Sequence, residues 1–289
     1  MIWKDREGNI VPGDQEQDRM LEWLYGTSLG RLIVKGLIRP RVSRAAGWLL
    51  DRRISALAVK PFIRKNHLSM EDFEQRPYRS FNDFFTRQLK PGRRPIDREP
   101  GHLIAPCDSK LTVCPIRPDS RFWVKGTEYT LAGLLRDSRL AETFLGGTLL
   151  LFRLTVGDYH RYAYIDSGFA GESVRIPGVF HTVNPAAASR YPIYRENTRE
   201  YTLLESEDFG TLLQMEVGAA MVGRIVNAPG SRQVSRGEEK GRFEFGGSTV
   251  IVLLQRDAAI LDEDILRNTA QEAETVVRLG QKIGCRHPG

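Results

Sequence analysis

The chain has 289 residues, 41% of them hydrophobic and 27% charged, the make-up of a folded soluble protein with one large domain or two modest ones. No apolar run follows a basic stub at Met1-Ile2-Trp3-Lys4-Asp5-Arg6-Glu7, so no secretory signal is expected. Apolar stretches such as Leu149-Leu150-Leu151-Phe152 are too short to span a bilayer. Three cysteines, Cys107, Cys114 and Cys285, show no metal-ligand spacing, and their odd number points to a reducing compartment. The net charge of +6 is local: ten basic residues against Asp51 make residues 31–65 +9, and the rest of the chain −3.

In residues 15–66 apolar positions recur at helical spacing. Leu29, Leu32, Ile33, Gly36 and Leu37 mark one helix, and Ala45, Trp48, Leu49, Arg52 and Ala56 a second, with Pro40 and Pro61 expected at the breaks. A cationic face opposite Trp and Leu suits the plane of an anionic membrane surface, and equally a helical pair packed on the protein with a solvated basic face. No nucleic-acid motif accompanies the charge, so nucleic acid is not expected as a partner. Ser69-Met70-Glu71-Asp72-Phe73-Glu74 reads as a capped helix start, and a helix over residues 80–90 leads into Pro91-Gly92-Arg93-Arg94-Pro95.

From about residue 102 short β runs alternate with Gly, Pro, Asn and Asp. Strands are expected over 103–105, 110–113, 148–154, 159–165, 172–176, 200–204, 211–217, 221–226 and 249–255, with short helices over 131–136 and 139–144. A final helix is expected over 263–282. The expected fold is α+β: N-terminal amphipathic helices (residues 1–100, membrane-facing) packed on a β-rich, sandwich- or barrel-like core (residues 101–289) closed by a C-terminal helix.

Of five histidines, His67, His102 and His287 read as structural. His160 follows a Gly-Asp turn in Gly157-Asp158-Tyr159-His160-Arg161-Tyr162, and His181 lies in Phe180-His181-Thr182-Val183-Asn184. Asp108 ends a strand where an acid can point into a cleft. No histidines are paired at zinc-ligand spacing, so no metal site is expected. Gly246-Gly247-Ser248-Thr249-Val250 lacks the second glycine of a hydrolase elbow. Two glycines before a hydroxyl give the backbone unusual freedom, and Ser248 could attack its own preceding peptide bond.

Residues 80–90, Arg94-Pro95, Pro106-Cys107-Asp108, Asp158-Tyr159-His160-Arg161, residues 180–184, Glu196-Asn197-Thr198-Arg199, residues 217–223 and residues 240–249 together resemble the phosphatidylserine decarboxylases, in order and from about Leu24 to Gly284. The resemblance implies a pyruvoyl-dependent enzyme that processes itself. Ser248 would attack the Gly247 carbonyl, and elimination and hydrolysis would leave a pyruvoyl group at position 248, splitting a β chain (1–247) from a 42-residue α chain (248–289). That covalent cofactor would form a Schiff base with the amine of phosphatidylserine, releasing CO2 and phosphatidylethanolamine. Asp108 matches the family's charge-relay aspartate, and His160 is the candidate general acid.

The family commonly reads Tyr-His-Arg-x-His, and here the second histidine is Ala163. The self-cleavage base is therefore His160 or His181. The implied setting is peripheral, on the cytoplasmic face of the cell membrane, with phosphatidylserine and an anionic lipid surface as partners; a homodimer is left open. Two other readings remain: pyruvoyl-dependent decarboxylation of a soluble amino acid, and a lipid-binding relative that no longer processes itself.

Overall fold

Ser248–Leu254 reads Ser-Thr-Val-Ile-Val-Leu-Leu, and every residue in it is buried. A β-branched and aliphatic strand with no polar face belongs in the middle of a sheet covered on both sides. The computed structural model, which describes residues 2–12, 45, 47–124, 127–179, 181, 192–218, 224–244 and 248–287, has it there. The strand pairs antiparallel with Gly210–Gly218 on one side and Thr148–Leu154 on the other.

Beyond Gly210–Gly218 come Arg199–Ser206, Gly168–Ala170 and Arg232–Val234, with Val174–Ile176 also on Arg199–Ser206. Beyond Thr148–Leu154 come Ser109–Pro115, Glu274–Val277, Trp3–Lys4 and Ile10–Val11, which makes eleven strands among the described residues. The outermost strands, Arg232–Val234 and Ile10–Val11, do not pair with each other. The sheet is therefore open, and the barrel-like closure expected from the sequence is not formed among the described residues.

The period of two sorts the central side chains onto two faces. Ile251 and Leu253 join Leu149, Leu151, Leu213, Met215 and Val217 in one core. Val250, Val252 and Leu254 join Leu150, Phe152, Leu154 and Leu212 in the other. Ser248 shares the alternation of the second set. Over that face lies a three-stranded sheet of Arg224–Asn227, Glu239–Glu244 and Arg161–Ala163.

A buried ion pair pins the two sheets together: Lys240 Nζ lies 2.7 Å from Glu216 Oε2, and both residues are at most 1% exposed. Asn227 Nδ2 donates to the same oxygen at 3.0 Å, and its Oδ1 accepts from the Tyr162 hydroxyl at 2.9 Å. Burial pushes the Glu216 carboxyl above its ordinary range, against the pull of Lys240.

The C-terminal region corrects the sequence reading. The helix is Glu263–Ala270 only, and the chain then forms the strands Glu274–Val277 and Lys282–Arg286. Glu274-Thr275-Val276-Val277 is β-branched and pairs with Ser109–Pro115, and Gly280 adopts φ +82° in the turn, both incompatible with continued helix.

In the N-terminal half, the first expected helix and Pro40 lie outside the described residues. The second is present over 47–50 and continues as a 3-10 turn, Arg53–Ala58, and a helix, Val59–Lys65. Pro61 sits in the first turn of that helix rather than at a break, where a missing N–H costs nothing. Residues 69–74 form a turn and a bridge from Phe73 to Leu89, not a helix. Ser80 caps Phe81–Phe85 by accepting from the Asp83 N–H, and Phe81, Phe84, Phe85 and Val59 form a separate apolar cluster. The short helices Leu131–Leu135 and Ser138–Glu142 are close to the expected bounds.

Replacing Lys240 by Met leaves the Glu216 charge buried and uncompensated and is expected to cost about 3–5 kcal/mol; adding Glu216→Leu is expected to restore most of it. Urea midpoints of the two variants check this, and equal losses in both would contradict the pinning role.

Candidate active site

Ser248 opens the central strand in register with Leu154 on one neighbour and Gly218 on the other. It is 0% exposed, and its Oγ has no hydrogen-bond partner among the described residues. Burying a hydroxyl unpaired costs about 1–3 kcal/mol, so an apolar side chain would serve the strand better if packing were the only demand. Such a hydroxyl fits a residue kept for chemistry, and suits the precursor of a pyruvoyl group.

His160 is also fully buried. Its Nδ1 is 2.9 Å from the Asp158 carbonyl, so it carries the proton and donates, leaving Nε2 as a lone pair with no partner among the described residues. The ring lies on Phe85 at 3.9 Å between centroids. Burial, reinforced by the nearby Arg87 charge, pushes the imidazole pKa down to about 3. His160 is therefore a neutral acceptor at physiological pH, whereas the sequence reading called for a general acid near neutrality.

The carbonyl that orients His160 is itself fixed. Asp158 is bound through both carboxylate oxygens by Lys110 Nζ at 2.7 Å, and by the Thr155 N–H and hydroxyl at 2.6 and 2.8 Å. Burial alone would raise the Asp158 carboxyl, but Lys110 and the Thr155 donors hold it below its usual range. The backbone continues the link, because the His160 carbonyl accepts from the Phe243 N–H, at the end of the strand leading toward Ser248.

His181 reaches the same neighbourhood from the other side. The Asn197 carboxamide accepts from the His181 N–H (2.9 Å) and donates to both the His181 carbonyl (2.7 Å) and the Gly218 carbonyl (2.8 Å). Gly218 is the register partner of Ser248, so one buried side chain ties the backbone of His181 to the strand beside the candidate nucleophile. Burial lowers the imidazole pKa, opposed by Glu196, whose carboxylate is 3.4 Å from Nε2.

Asn197 is held in turn by Arg199, which donates to the carbonyls of Asn197, Arg195, Leu134 and Gly133. Gly178 completes the packing: a Cβ there would stand 2.1 Å from the Glu196 carbonyl oxygen.

Asp108 has partners of its own. Arg94 grips both its oxygens at 2.6–3.1 Å and also reaches Asp72, while the Leu279 N–H donates to Oδ1 at 2.9 Å. Neither histidine is among its side-chain partners. Its link to the site is indirect: the Pro106 carbonyl accepts from the Ala163 N–H. Gly247 lies outside the described residues. Sequence reasoning brought Ser248, His160 and His181 forward but gave no role to Glu196, Asn197 or the Lys110–Asp158 pair. The only signal for Asn197 and Glu196 was their place in the Glu-Asn-Thr-Arg motif.

A cleft of about 930 Å³ has walls from Thr198, Glu200, Arg224, Asn227 and Glu244 of the core and Trp48 and Asp51 of the N-terminal half, and none of Ser248, His160 and His181 lines it. Its rim arginines are only loosely paired, Arg224 with Glu244 at 3.3 Å and Arg175 with Glu200 at 3.5 Å.

The sequence that carries the buried serine and the two histidines is similar to known proteins. The phosphatidylserine decarboxylase family profile matches residues 81–285. The chain is 41% identical to phosphatidylserine decarboxylase proenzyme 2 of Clostridium acetobutylicum, with 93% of each chain covered. It is 40% identical to the phosphatidylserine decarboxylase proenzyme of Desulfitobacterium hafniense, over 94% of this chain and 93% of that one. A Clostridium botulinum proenzyme of the same name is 36% identical over 97% of this chain. The chain belongs to the phosphatidylserine decarboxylase family.

The histidine pKa values carry a stability consequence. In the unfolded chain a histidine binds its proton near pH 6.5, whereas folded His160 does so only near pH 3. The stabilisation is complete above pH 6.5 and is lost as pH falls toward 3, at up to about 1.4 kcal/mol per pH unit. His181, shifted the same way, adds to it. Urea unfolding of an uncleavable Ser248→Ala chain between pH 6.5 and 4 is expected to show this slope, and His160→Gln is expected to flatten it.

Proposed function

We propose that this chain is a self-processing decarboxylase that converts phosphatidylserine to phosphatidylethanolamine and CO2. The observation that carries the reading is the buried Ser248 hydroxyl at the start of the central strand, without a hydrogen-bond partner among the described residues, in a chain of this family. Self-cleavage needs a base for the serine proton, and His181 and His160 are both neutral by virtue of burial. The Asn197 clamp favours His181 for this step, since it couples that backbone to the partner strand of Ser248. His160 then serves turnover. Its Nε2 must collect a proton before it can hand one to carbon, and the negative charge of a bound phospholipid headgroup favours that uptake.

A pyruvoyl group at position 248 would supply an electron sink for the pair left behind by the departing carboxylate. The residues that would surround it are those next to Ser248 in register, Leu154 and Gly218, together with His160 and the hydrogen-bonded pair of His181 and Asn197. Leu154, Phe243 and Tyr162 keep this side dry, which strengthens every charge interaction in it. Asp108 supports the site from a distance by anchoring Arg94 and the turn at Leu279.

Ser248→Ala is expected to give a single continuous chain with no turnover, while the wild type runs as two fragments on a denaturing gel. Intact mass would show the smaller fragment beginning with a pyruvoyl group. His160→Ala is expected to split as the wild type does but lose decarboxylation by at least about 100-fold. A His160→Ala chain that stays whole would instead make His160 the self-cleavage base.

The membrane-facing role of the N-terminal half is part of the same proposal. Trp48, Leu49, Ile54 and Leu57 are 53–77% exposed, and Arg52, Arg53, Lys60, Arg64 and Lys65 are exposed around them; the other five cations of the segment lie outside the described residues. Apolar side chains ringed by cations suit an anionic leaflet, and Trp48 and Asp51 also border the cleft, so a headgroup could pass from the lipid surface to the site. No helix among the described residues is long and apolar enough to cross a membrane. Replacing Trp48, Ile54 and Leu57 together by Ser is expected to weaken sedimentation with phosphatidylserine-containing vesicles at least ~10-fold while self-cleavage continues. Unchanged sedimentation would remove this role.

A further inference from the structure

The carboxylate that the sequence offered as the orienting group, Asp108, is engaged by Arg94 and the Leu279 N–H. A different carboxylate faces a candidate base. Glu196 Oε2 lies 3.4 Å from His181 Nε2, with the histidine 5% and the glutamate 40% exposed at the side chain. We propose that Glu196 is the positioning residue for self-cleavage, holding His181 in the tautomer and orientation that accept the Ser248 proton. This rests on the reading of Ser248 as the self-cleaving nucleophile.

Three features of the fold support the assignment. Glu196 ends the short helix Ile193–Glu196, and its carbonyl accepts from the Val179 N–H at 3.0 Å, two residues before His181. Only glycine fits at position 178, against that same carbonyl, so the Glu196 backbone sits directly on the segment carrying the histidine. The next residue, Asn197, fixes the His181 backbone from both its N–H and its carbonyl and joins it to Gly218, opposite Ser248. Consecutive residues 196 and 197 thus hold the ring and the backbone of one histidine. Among the described residues, Arg195, on the same short helix, and Arg136, at the end of Leu131–Leu135, line a small cleft with Glu196.

The chemistry balances without any external reagent. Glu196 accepts the Nε2–H of His181, and in that tautomer Nδ1 is the nitrogen that carries the lone pair. As the Ser248 oxygen bonds to the Gly247 carbonyl carbon, its proton passes to the imidazole. The C–N bond then breaks, and the imidazolium returns that proton to the departing nitrogen of residue 248, giving an ester and an amine. A carboxylate beside the ring favours the transient imidazolium, as in other serine–histidine–acid sites.

The test uses freshly translated full-length chain, followed for splitting on a denaturing gel across pH. Glu196→Gln is expected to slow splitting at least ~10-fold and to move the rising limb of its pH profile to lower pH, because His181 loses its stabilising charge. Glu196→Asp is expected to recover part of the rate. Since either variant could misfold, the titration of His181 is also followed by NMR in an uncleavable Ser248→Ala background, where Glu196→Gln is expected to lower its midpoint. Wild-type splitting and an unmoved pH limb in Glu196→Gln would overturn the assignment, as would a His181 midpoint that shifts with Asp108→Asn but not with Glu196→Gln. A wild-type chain that never splits would instead remove the self-processing reading itself.

Discussion

Everything in the site depends on one constraint, that a hydroxyl begins a strand whose other residues are apolar or buried on both faces. Ser248 cannot move without shifting a seven-residue strand paired on both edges, so its position is as fixed as the core itself. Rigidity of this kind matters for a reaction of a chain with itself. There is no binding step to bring the reacting atoms together, and geometry alone must supply the effective concentration. The cost of burying a hydroxyl with no partner among the described residues is offset by the apolar cores on the two faces.

Around that fixed point the protein builds two imidazoles whose environments differ in kind. His160 is locked from behind, through a carbonyl whose own residue is held by Lys110 and Thr155, and a phenylalanine covers its ring. No carboxylate among the described residues touches its ring directly, so burial dominates and the group stays neutral. His181 has a carboxylate against its ring, which opposes the effect of burial. Two histidines in one site with separated proton affinities can divide two proton transfers between them. The loss of the family's second motif histidine at Ala163 is intelligible in this setting. Ala163 is 2% exposed, so its small side chain fills a buried position, and its N–H and carbonyl are bonded to the Pro106 carbonyl and the Gln214 side chain.

The sequence was legible where one strand's residues suffice to explain it. Thr148–Leu154 and Gly210–Gly218 are apolar runs bounded by glycine, and their extents match the reading to within a residue. Glu239–Glu244 was missed because Glu-Lys-Gly-Arg-Phe-Glu has a solvent-facing composition; Lys240 is nonetheless buried because Glu216, distant in sequence, neutralises it. The C-terminal region was misread because its charged spacing mimics a helical face, while the pairing of Thr275 to Val277 with Ser109–Pro115 is visible only in three dimensions. Helix period is a local signal, and a strand at residue 275 stabilised by one at residue 111 is not.

The same distinction governs the site. Ser248, His160 and His181 could be found because reactive side chains are rare and their neighbours distinctive. Their orienting groups could not, since an aspartate at a strand end and a glutamate at the end of a four-residue helix are equally plausible on paper. The choice between them is made by Arg94. A guanidinium placed to bind two aspartates at once satisfies Asp108 fully, with charge and hydrogen bonds both met, and leaves it no reason to turn toward an imidazole. Glu196 has no arginine so close among the described residues and is partly exposed, which leaves its charge available to the buried ring beside it. On the proposal that Glu196 positions His181, an ion pair formed for structure at Asp108 leaves the other carboxylate open to the imidazole.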